Sequence, residues 1–216
     1  MTIRRTHKDN QKKFLDENQK LNILDLGCAI DSRWKEANHF ADIFDFHEYF
    51  EKKKLKFTKI EINKKLPFKD KEFDYVILSH VLEHIPNPIE FIHEVERIGK
   101  SGYIEIPTRF NDSIVIGNEG KYGHRWWFNY DDDKNEIHLL ERLDPLEKFI
   151  SVGTVFKLTD MFQESFTLQL YWENKIPLLK KENILIDKKL SFFSFIKKFY
   201  SKKIRDLISK IKLLFQ

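Results

Sequence analysis

The sequence predicts an α/β fold with a mainly parallel central sheet, followed by an amphipathic C-terminal helix. Residues 66–107 read as strand, short helix, loop, helix and strand. Upstream, residues 22–28 (NILDLGC) form an apolar run that ends in an acid and a glycine. Strands that alternate with helices in this way favour a parallel sheet, and such sheets bind ligands in the crevice beyond the carboxyl ends of their strands. Residues that directly follow the strands are therefore the candidate site.

Short apolar or alternating runs predict the strands of this sheet. The predicted ranges are 22–26, 39–44, 56–62, 75–78 and 103–106, and weaker candidates follow at 126–128, 135–140, 149–156 and 166–172. Between the fourth and fifth strands, Asn87 and Pro88 favour the start of a helix, which Gly99 ends.

Composition predicts one main domain with an appendage. The 216 residues include 41% hydrophobic side chains, enough for one sizeable core. We expect a polar lead-in over 1–20, the main domain over 21–180 and a basic helix over 187–216. With Cys28 as the one cysteine, no intrachain disulfide can form. Because residues 1–20 have no apolar run and no segment reaches the length of a spanning helix, we expect a cytoplasmic protein.

The C-terminal segment 187–216 carries most of the positive charge. It holds nine basic residues and two acids, so its net charge is +7. Because the net charge of the whole chain is +4, the net charge of the remaining residues is −3. Its apolar residues share one broad helical face opposite the charges. A basic amphipathic helix suits an anionic membrane surface, and the alternative is a helix packed on the main domain or on a second subunit, as in a homodimer. The −3 main domain makes a nucleic-acid partner unexpected.

The run LPFKDKEFDYVILSHVLEHI, followed by a helix, a glycine and a strand, resembles class I S-adenosylmethionine-dependent methyltransferases of the type 11 group. The short motif DLGC supports the resemblance, which covers about residues 20–130 and continues more weakly to about 175. It implies a Rossmann-like methyltransferase fold, S-adenosylmethionine as the cofactor, and methyl transfer to an acceptor. We expect that acceptor to be a small molecule, a glycan or a lipid-linked intermediate.

The resemblance implies a set of cofactor-binding residues. Asp25 and Gly27 end the first strand, and the glycine lets the chain turn close to a ligand. An acid after the second strand can accept both ribose hydroxyls; Asp42 fits the spacing best, and Asp45 is the alternative.

Further along the chain, the same resemblance assigns the two ends of the cofactor. Glu61, after the third strand, would face the adenine amino group. Ser79 and His80, after the fourth, would lie under the methionine portion.

The loop after the first strand departs from the family pattern Asp-x-Gly-x-Gly-x-Gly. Ala29 and Asp31 replace the second and third glycines. Asp31 either pairs with the cofactor's ammonium group or points to solvent. An alternative function follows from this departure: the fold is kept and activity is weak or absent, which leaves a binding or scaffold protein at the membrane surface.

A histidine-rich motif adds a second line of chemistry. The spacing of His80, Glu83 and His84 predicts that all three share one face of a helix, and His124 lies in a loop that could return to them. His80 or His84 would serve as a general base, since imidazole takes protons near neutral pH.

Imidazole and carboxylate groups together also bind divalent cations. The pattern is similar to the metal site of small-RNA 2′-O-methyltransferases and, in shorter form, of ubiquinone-pathway O-methyltransferases, although His80 stands where both have Glu. Metal-dependent RNA methylation is therefore a third function considered. The alternative is that Glu83 caps and His84 packs at a helix end without metal. The neighbouring aromatics 126–128 either line an acceptor pocket or belong to the core.

Overall fold

The computed structural model describes residues 3–30, 32–109, 111, 123–142 and 163–181. All of them belong to one compact unit, Met1–Glu182. The predicted helix over 187–216, the predicted strand over 149–156 and Asp31 lie outside the described residues. In the described part of the chain, no helix is both long enough and apolar enough to cross a membrane.

The described residues contain ten strands, which form two sheets. The strands are β1 (Ile3–Arg5), β2 (Ile23–Leu26), β3 (His39–Asp42), β4 (Lys56–Lys59), β5 (Phe73–Ser79), β6 (Gly99–Pro107), β7 (Trp126–Asp131), β8 (Glu136–Glu141), β9 (Thr167–Glu173) and β10 (Leu178–Lys180). The helices are α1 (Lys8–Glu17), α2 (His47–Lys52), α3 (Pro88–Ile98) and α4 (Gln163–Phe166), with a short 3-10 turn at Leu82–His84.

The main sheet has seven strands in the order β1-β9-β6-β5-β2-β3-β4. Five adjacent strands run parallel to one another: β4, β3, β2, β5 and β6. Strand β9 runs antiparallel to both β6 and β1. The predicted Rossmann-like α/β fold with a mainly parallel sheet is confirmed. The chain leaves β2 toward β3 and later returns on the other side of β2 as β5, so the strand order reverses between β2 and β5. Ligands of open α/β sheets bind at such a reversal.

The second sheet has three strands in the order β10-β8-β7. Strands β7 and β8 form an antiparallel pair, and β10 runs parallel to β8. Two of these strands come from the excursion between β6 and β9. The small sheet joins the main one at the bridge between Thr108 and Phe128.

The core has two layers, one on each face of the main sheet. On one face lies the apolar side of α3, whose Phe91, Ile92 and Val95 are buried. On the other face, Leu15 of α1 and Trp34 are buried against the sheet. Because both faces are covered, β5 is a nearly continuous apolar run, as its sequence predicted.

The predicted lead-in over 1–20 contributes β1 and α1 to the domain. Ile3 and Leu15 are each 1% exposed, so this polar segment is anchored by a few apolar side chains. Most residues of this segment face solvent, so its mean hydropathy is polar and did not indicate these buried side chains. Helix α3 ends at Gly99 as expected, but Gly99 has extended backbone and leads straight into β6.

Candidate functional site

A cavity of about 320 Å³ lies at the reversal point between β2 and β5. Its walls come from the ends of β2 and β3, the loop after β4, the turn after β5 and helix α3. The lining residues are Leu26, Gly27, Ala29, Asp42, Ile43, Phe44, Phe46, Ile60, Ile62, His80, Val81, His84, Ile85 and Phe91. Of the predicted site residues, Gly27, Asp42, His80 and His84 line it.

Gly27 turns the chain at the end of β2. Its φ is +85°, a left-handed conformation that residues with a Cβ rarely adopt, and its N–H donates to the Ala41 carbonyl at 2.7 Å. A Cβ at this position would stand 2.4 Å from Cγ2 of Val81. Glycine is therefore required here both by backbone conformation and by the close approach of the turn after β5.

Asp42 is fixed at the end of β3 by two backbone amides. Its Oδ2 accepts from the N–H of Ala29 and its Oδ1 from that of Phe44, both at 3.0 Å. Each carboxylate oxygen keeps a further lone pair that can face the cavity. The alternative, Asp45, does not line the cavity and instead accepts hydrogen bonds from the backbone and ring of His47.

Asp25 lies beside the cavity without lining it. It is 3% exposed, and the Ser32 hydroxyl donates to its Oδ2. Burial raises the pKa of Asp25 to about 7, and the nearby charge of Asp42 adds to this rise. Asp25 thus holds the loop after β2 in place through Ser32.

Glu61 and Ser79 do not line the cavity. The Glu61 side chain is 64% exposed and pairs with Lys64 at 2.8 Å, although its neighbours Ile60 and Ile62 line the cavity. The Ser79 hydroxyl donates to Glu105 at 3.5 Å. Their assignments to the adenine and methionine portions stay predictions.

His80 is held between two acids. Its φ is +57°, its Nδ1 donates to Oε1 of Glu83 at 3.2 Å, and its Nε2 lies 3.2 Å from Oε1 of Glu105. Burial lowers the pKa of His80, but the hydrogen bonds to Glu105 and Glu83 outweigh it and raise the pKa to about 9. A raised pKa favours the imidazolium near neutral pH, and in that form the ring donates to both acids; the assignment of His80 as a general base stays a prediction.

Glu105 on β6 pairs with His80, a contact that the sequence did not predict. It is 6% exposed; Lys8 donates to its Oε1 at 3.2 Å and Tyr103 to its Oε2 at 2.5 Å. Although burial raises the pKa of Glu105, hydrogen bonding by His80 and the charge of Lys8 lower it to about 2. The position of Glu105 in the apolar run Tyr-Ile-Glu-Ile could have indicated that it is paired, because an uncompensated charge in a buried strand is costly.

The predicted shared helical face of His80, Glu83 and His84 is wrong. A 3-10 turn spans Leu82–His84, and His80 precedes it in left-handed conformation. The loop before β7 instead brings in His124, whose ring centroid lies 4.7 Å from that of His84. Ligand atoms of Glu83, His84 and His124 all lie within 4.8 Å of one another, and His80 is not part of that group.

The small sheet positions His124. The Arg125 N–H donates to the Glu83 carbonyl at 2.7 Å, and the Trp126 indole donates to the Ile85 carbonyl at 2.8 Å. Arg142 donates to the His124 carbonyl at 3.2 Å. The chain is therefore tied to the turn after β5 by the two residues that directly follow His124.

The three aromatics of β7 divide between surface and core. Trp127 is 4% exposed and Phe128 is fully buried, whereas Trp126 is partly buried. None of the three lines the described cavity, and Phe128 belongs to the main core. The core interpretation is the one that this arrangement supports.

Comparison with known families gives a match over residues 2–163 to the family described as "Methyltransferase domain". The chain belongs to this family. The expected class I methyltransferase domain is therefore confirmed.

Two curated relatives are similar over part of their length. The uncharacterized protein MJ0638 of Methanocaldococcus jannaschii is 34% identical over 124 residues, which cover 54% of this chain and 52% of that protein. The uncharacterized protein MJ1123 of the same organism is 30% identical over 124 residues, which cover 55% and 60%. The chain thus spans about half the length of the curated relatives it matches.

Solved structures with a similar arrangement have low sequence identity to this chain. The PH0226 protein from Pyrococcus horikoshii OT3 is 17% identical with a TM-score of 0.44, over 77% of this chain and 89% of that one. A SAM dependent methyltransferase from Aquifex aeolicus is 14% identical with a TM-score of 0.40, over 76% of this chain and 89% of that one.

Proposed function

We propose that this protein binds S-adenosylmethionine in the cavity between β2 and β5 and transfers its methyl group to an acceptor. One observation carries the proposal: a cavity at the strand-order reversal of a methyltransferase-domain chain combines a glycine turn with a buried carboxylate. Its volume of about 320 Å³ is at the lower end of the roughly 300–1,000 Å³ typical of small-molecule sites.

The residues present fit this cofactor. Gly27 lines the cavity without a side chain, so its backbone is open to a close approach by the ligand. The Asp42 carboxylate is suited to ribose hydroxyls, and apolar side chains suited to an adenine ring line the wall beside it. Those side chains are Ile43, Phe44, Ile60 and Ile62. Ala29, at φ +51°, takes the left-handed conformation that the family's glycine would favour, so the loop keeps its shape despite the substitution.

When bound, the cofactor would supply a methyl group on a sulfonium: the acceptor atom would bond to the methyl carbon, the carbon–sulfur bond would break to release S-adenosylhomocysteine, and the proton of an acceptor hydroxyl would pass to a base. The chain's own part is to align the acceptor, which can supply several kcal/mol of the barrier. Both histidines predicted as bases line the cavity, and of the two it is His84 whose Nδ1 has no hydrogen-bond partner among the described residues. His80 instead holds the Glu83 carboxylate.

Calorimetric titration of the full-length protein with S-adenosylhomocysteine tests cofactor binding. We expect saturable binding that weakens at least about tenfold in Asp42→Asn, because each tenfold corresponds to about 1.4 kcal/mol, the scale of one charged hydrogen bond. The matched control Asp45→Asn should bind like the native protein. Thermal unfolding of each variant separates lost binding from lost folding.

Two outcomes would overturn the proposal. One is the absence of heat at millimolar ligand. The other is binding that appears only after Ala29→Gly and Asp31→Gly, which would favour a scaffold protein that has kept the fold alone.

We further propose that the acceptor is a small molecule, a glycan or a lipid-linked intermediate. The +7 charge of residues 187–216 supports a peripheral position at the inner membrane surface, since each basic residue contributes about 1 kcal/mol near anionic lipid. In liposome sedimentation, full-length protein should bind anionic vesicles at low salt more than a chain that ends at Asp187. Equal partitioning would favour a packing or homodimer helix.

A further inference from the structure

We propose that Glu83, His84 and His124 form a binding site for a divalent transition-metal cation at the edge of the cavity. The three residues come from two separate parts of the chain, the turn after β5 and the loop before β7. Each offers one ligand atom, and these atoms lie within 4.8 Å of one another. In a tetrahedral site with bonds of about 2.1 Å, ligand atoms are roughly 3.4 Å apart, so side-chain shifts of about 1 Å close the group around an ion.

The strongest indication is a buried carboxylate oxygen that lacks a partner. Glu83 is 0% exposed, and its Oε2 has no hydrogen-bond partner among the described residues. A buried unpaired carboxylate oxygen is costly, so groups of this kind are paired or coordinate metals. A cation at this position would satisfy it.

A second unsatisfied atom lies in the next residue. The Nδ1 of His84 is buried and has no partner within the described part of the chain. His84 also packs edge-on against the ring of His124, with the two ring planes at 77°. Two imidazoles and a carboxylate thus converge where Oε2 of Glu83 and Nδ1 of His84 lack hydrogen-bond partners among the described residues.

Surrounding contacts hold these side chains in place, as metal sites require. His80 donates to Oε1 of Glu83 at 3.2 Å, which fixes the carboxylate and leaves Oε2 as the unmet atom. The bond from the Arg125 N–H to the Glu83 carbonyl ties the loop with His124 to the turn. In this arrangement His80 is a positioning residue and not a ligand.

The donor set indicates which cations the site selects. Two imidazole nitrogens with one carboxylate oxygen suit Zn²⁺, Co²⁺ or Fe²⁺ better than Mg²⁺ or Ca²⁺, which prefer oxygen ligands. Three protein ligands leave coordination positions open. Because His84 also lines the cavity, an open position can take an oxygen of the acceptor. This last role rests on the proposed methyl transfer, whereas the cation site itself does not.

Cobalt provides a direct test in the full-length, chelator-treated protein. We expect Co²⁺ to bind with one equivalent and give visible absorption bands, and Zn²⁺ to displace it. Mg²⁺ should not compete. His124→Ala should weaken Co²⁺ binding at least about tenfold, as should Glu83→Gln. His47→Ala is the matched control, because His47 forms an exposed pair with Asp45 that would report surface binding.

Several outcomes would overturn the site. Equal Co²⁺ binding by native protein and His124→Ala would do so, as would loss of binding in His47→Ala. If Glu83→Gln fails to fold, His124→Ala decides, because this loop residue is only partly buried. Titration with S-adenosylhomocysteine in the presence of chelator is read separately, so failure of the cation site and failure of cofactor binding are distinguishable.

Discussion

The two sides of the cavity are formed by different kinds of chemical group. On the β2 side, which comprises residues 23–62, the chain uses a glycine turn, backbone amides and apolar walls. On the turn side, which comprises residues 79–84 together with Glu105 and His124, it uses buried or half-buried ionisable groups that hold one another. The β2 side is shaped by local backbone geometry, and the turn side by contacts between distant segments.

This difference shows where each kind of substitution should act. A change on the β2 side alters shape, so it should act mainly on cofactor affinity. A change on the turn side leaves a charge without its partner, so it should act first on stability.

Replacement of Glu105 by Gln should destabilise the protein by about 3 kcal/mol, because it removes the buried anion that pairs with Lys8 and with Nε2 of His80. The pKa of His80 should fall from about 9 as one of its two acids is lost. Urea unfolding and NMR titration of the His80 ring measure both. Glu61→Gln is the control; its exposed pair with Lys64 should change the free energy of unfolding by under about 1 kcal/mol. Similar losses for both variants would contradict the contrast.

Replacement of Gly27 by Ala should destabilise the fold by about 2 kcal/mol and abolish binding of S-adenosylhomocysteine. The cause is a left-handed φ of +85° together with a Cβ placed 2.4 Å from Val81 Cγ2. Calorimetry measures the affinity, and thermal unfolding the stability. Undiminished affinity in a folded Gly27→Ala protein would mean that the turn does not face the ligand.

The two sides should respond to pH in different ranges. The pKa of Asp25, raised to about 7 from 3.8, gives a stabilisation that is fully present below pH 3.8 and is lost as pH rises through about 7. The pKa of His80, raised to about 9 from 6.5, gives one that is present below pH 6.5 and is lost as pH rises through about 9. In both ranges the folded state binds more protons than the unfolded state, so the free energy of unfolding falls as pH rises.

Unfolding measured between pH 4 and 10 separates these ranges. Asp25→Asn should flatten the acidic part of the profile and leave the alkaline part unchanged. His80→Gln should do the reverse. A profile that changes over the whole range in either variant would mean that the two groups titrate together.

Replacement of Ala29 by Gly should have the smallest effect, a stabilisation of about 0.5 kcal/mol. Relief of the left-handed conformation at φ +51° slightly exceeds the greater chain entropy of glycine when unfolded. Chemical denaturation measures this difference, and the Ala29 N–H bond to Asp42 should persist. A destabilised variant would show that the alanine methyl packs favourably.

On the β2 side, the sequence predicted that Gly27 and Asp42 lie at the strand ends beside the cavity, because their signals are local. A buried strand that ends in Asp25 and Gly27, and an acid that ends the next strand, are readable from a few residues each. Parallel strands then bring their carboxyl ends to one edge without further information. The sequence did not predict that the Glu61 side chain faces solvent, because the residues on either side of it, Ile60 and Ile62, do line the cavity.

The turn side was predicted only in part, for physical reasons. His80 takes a left-handed φ that a non-glycine residue adopts only under the constraint of its neighbours. Glu105 is neutralised by Lys8, 97 positions earlier. The approach of His124 to His84 depends on the small sheet, and thus on pairings that no short stretch encodes.

The excursion between β6 and β9 begins and ends at one point of the main sheet. The Thr108 N–H donates to the Phe166 carbonyl at 2.7 Å, and the Thr108 hydroxyl donates to the Ser165 carbonyl at 2.6 Å. A segment whose ends meet in this way can be exchanged or lengthened at little entropic cost, because the cost of closing a loop rises only slowly with its length. The segment that carries His124 can therefore be replaced as a unit in evolution, while the parallel strands beside the cavity stay as they are.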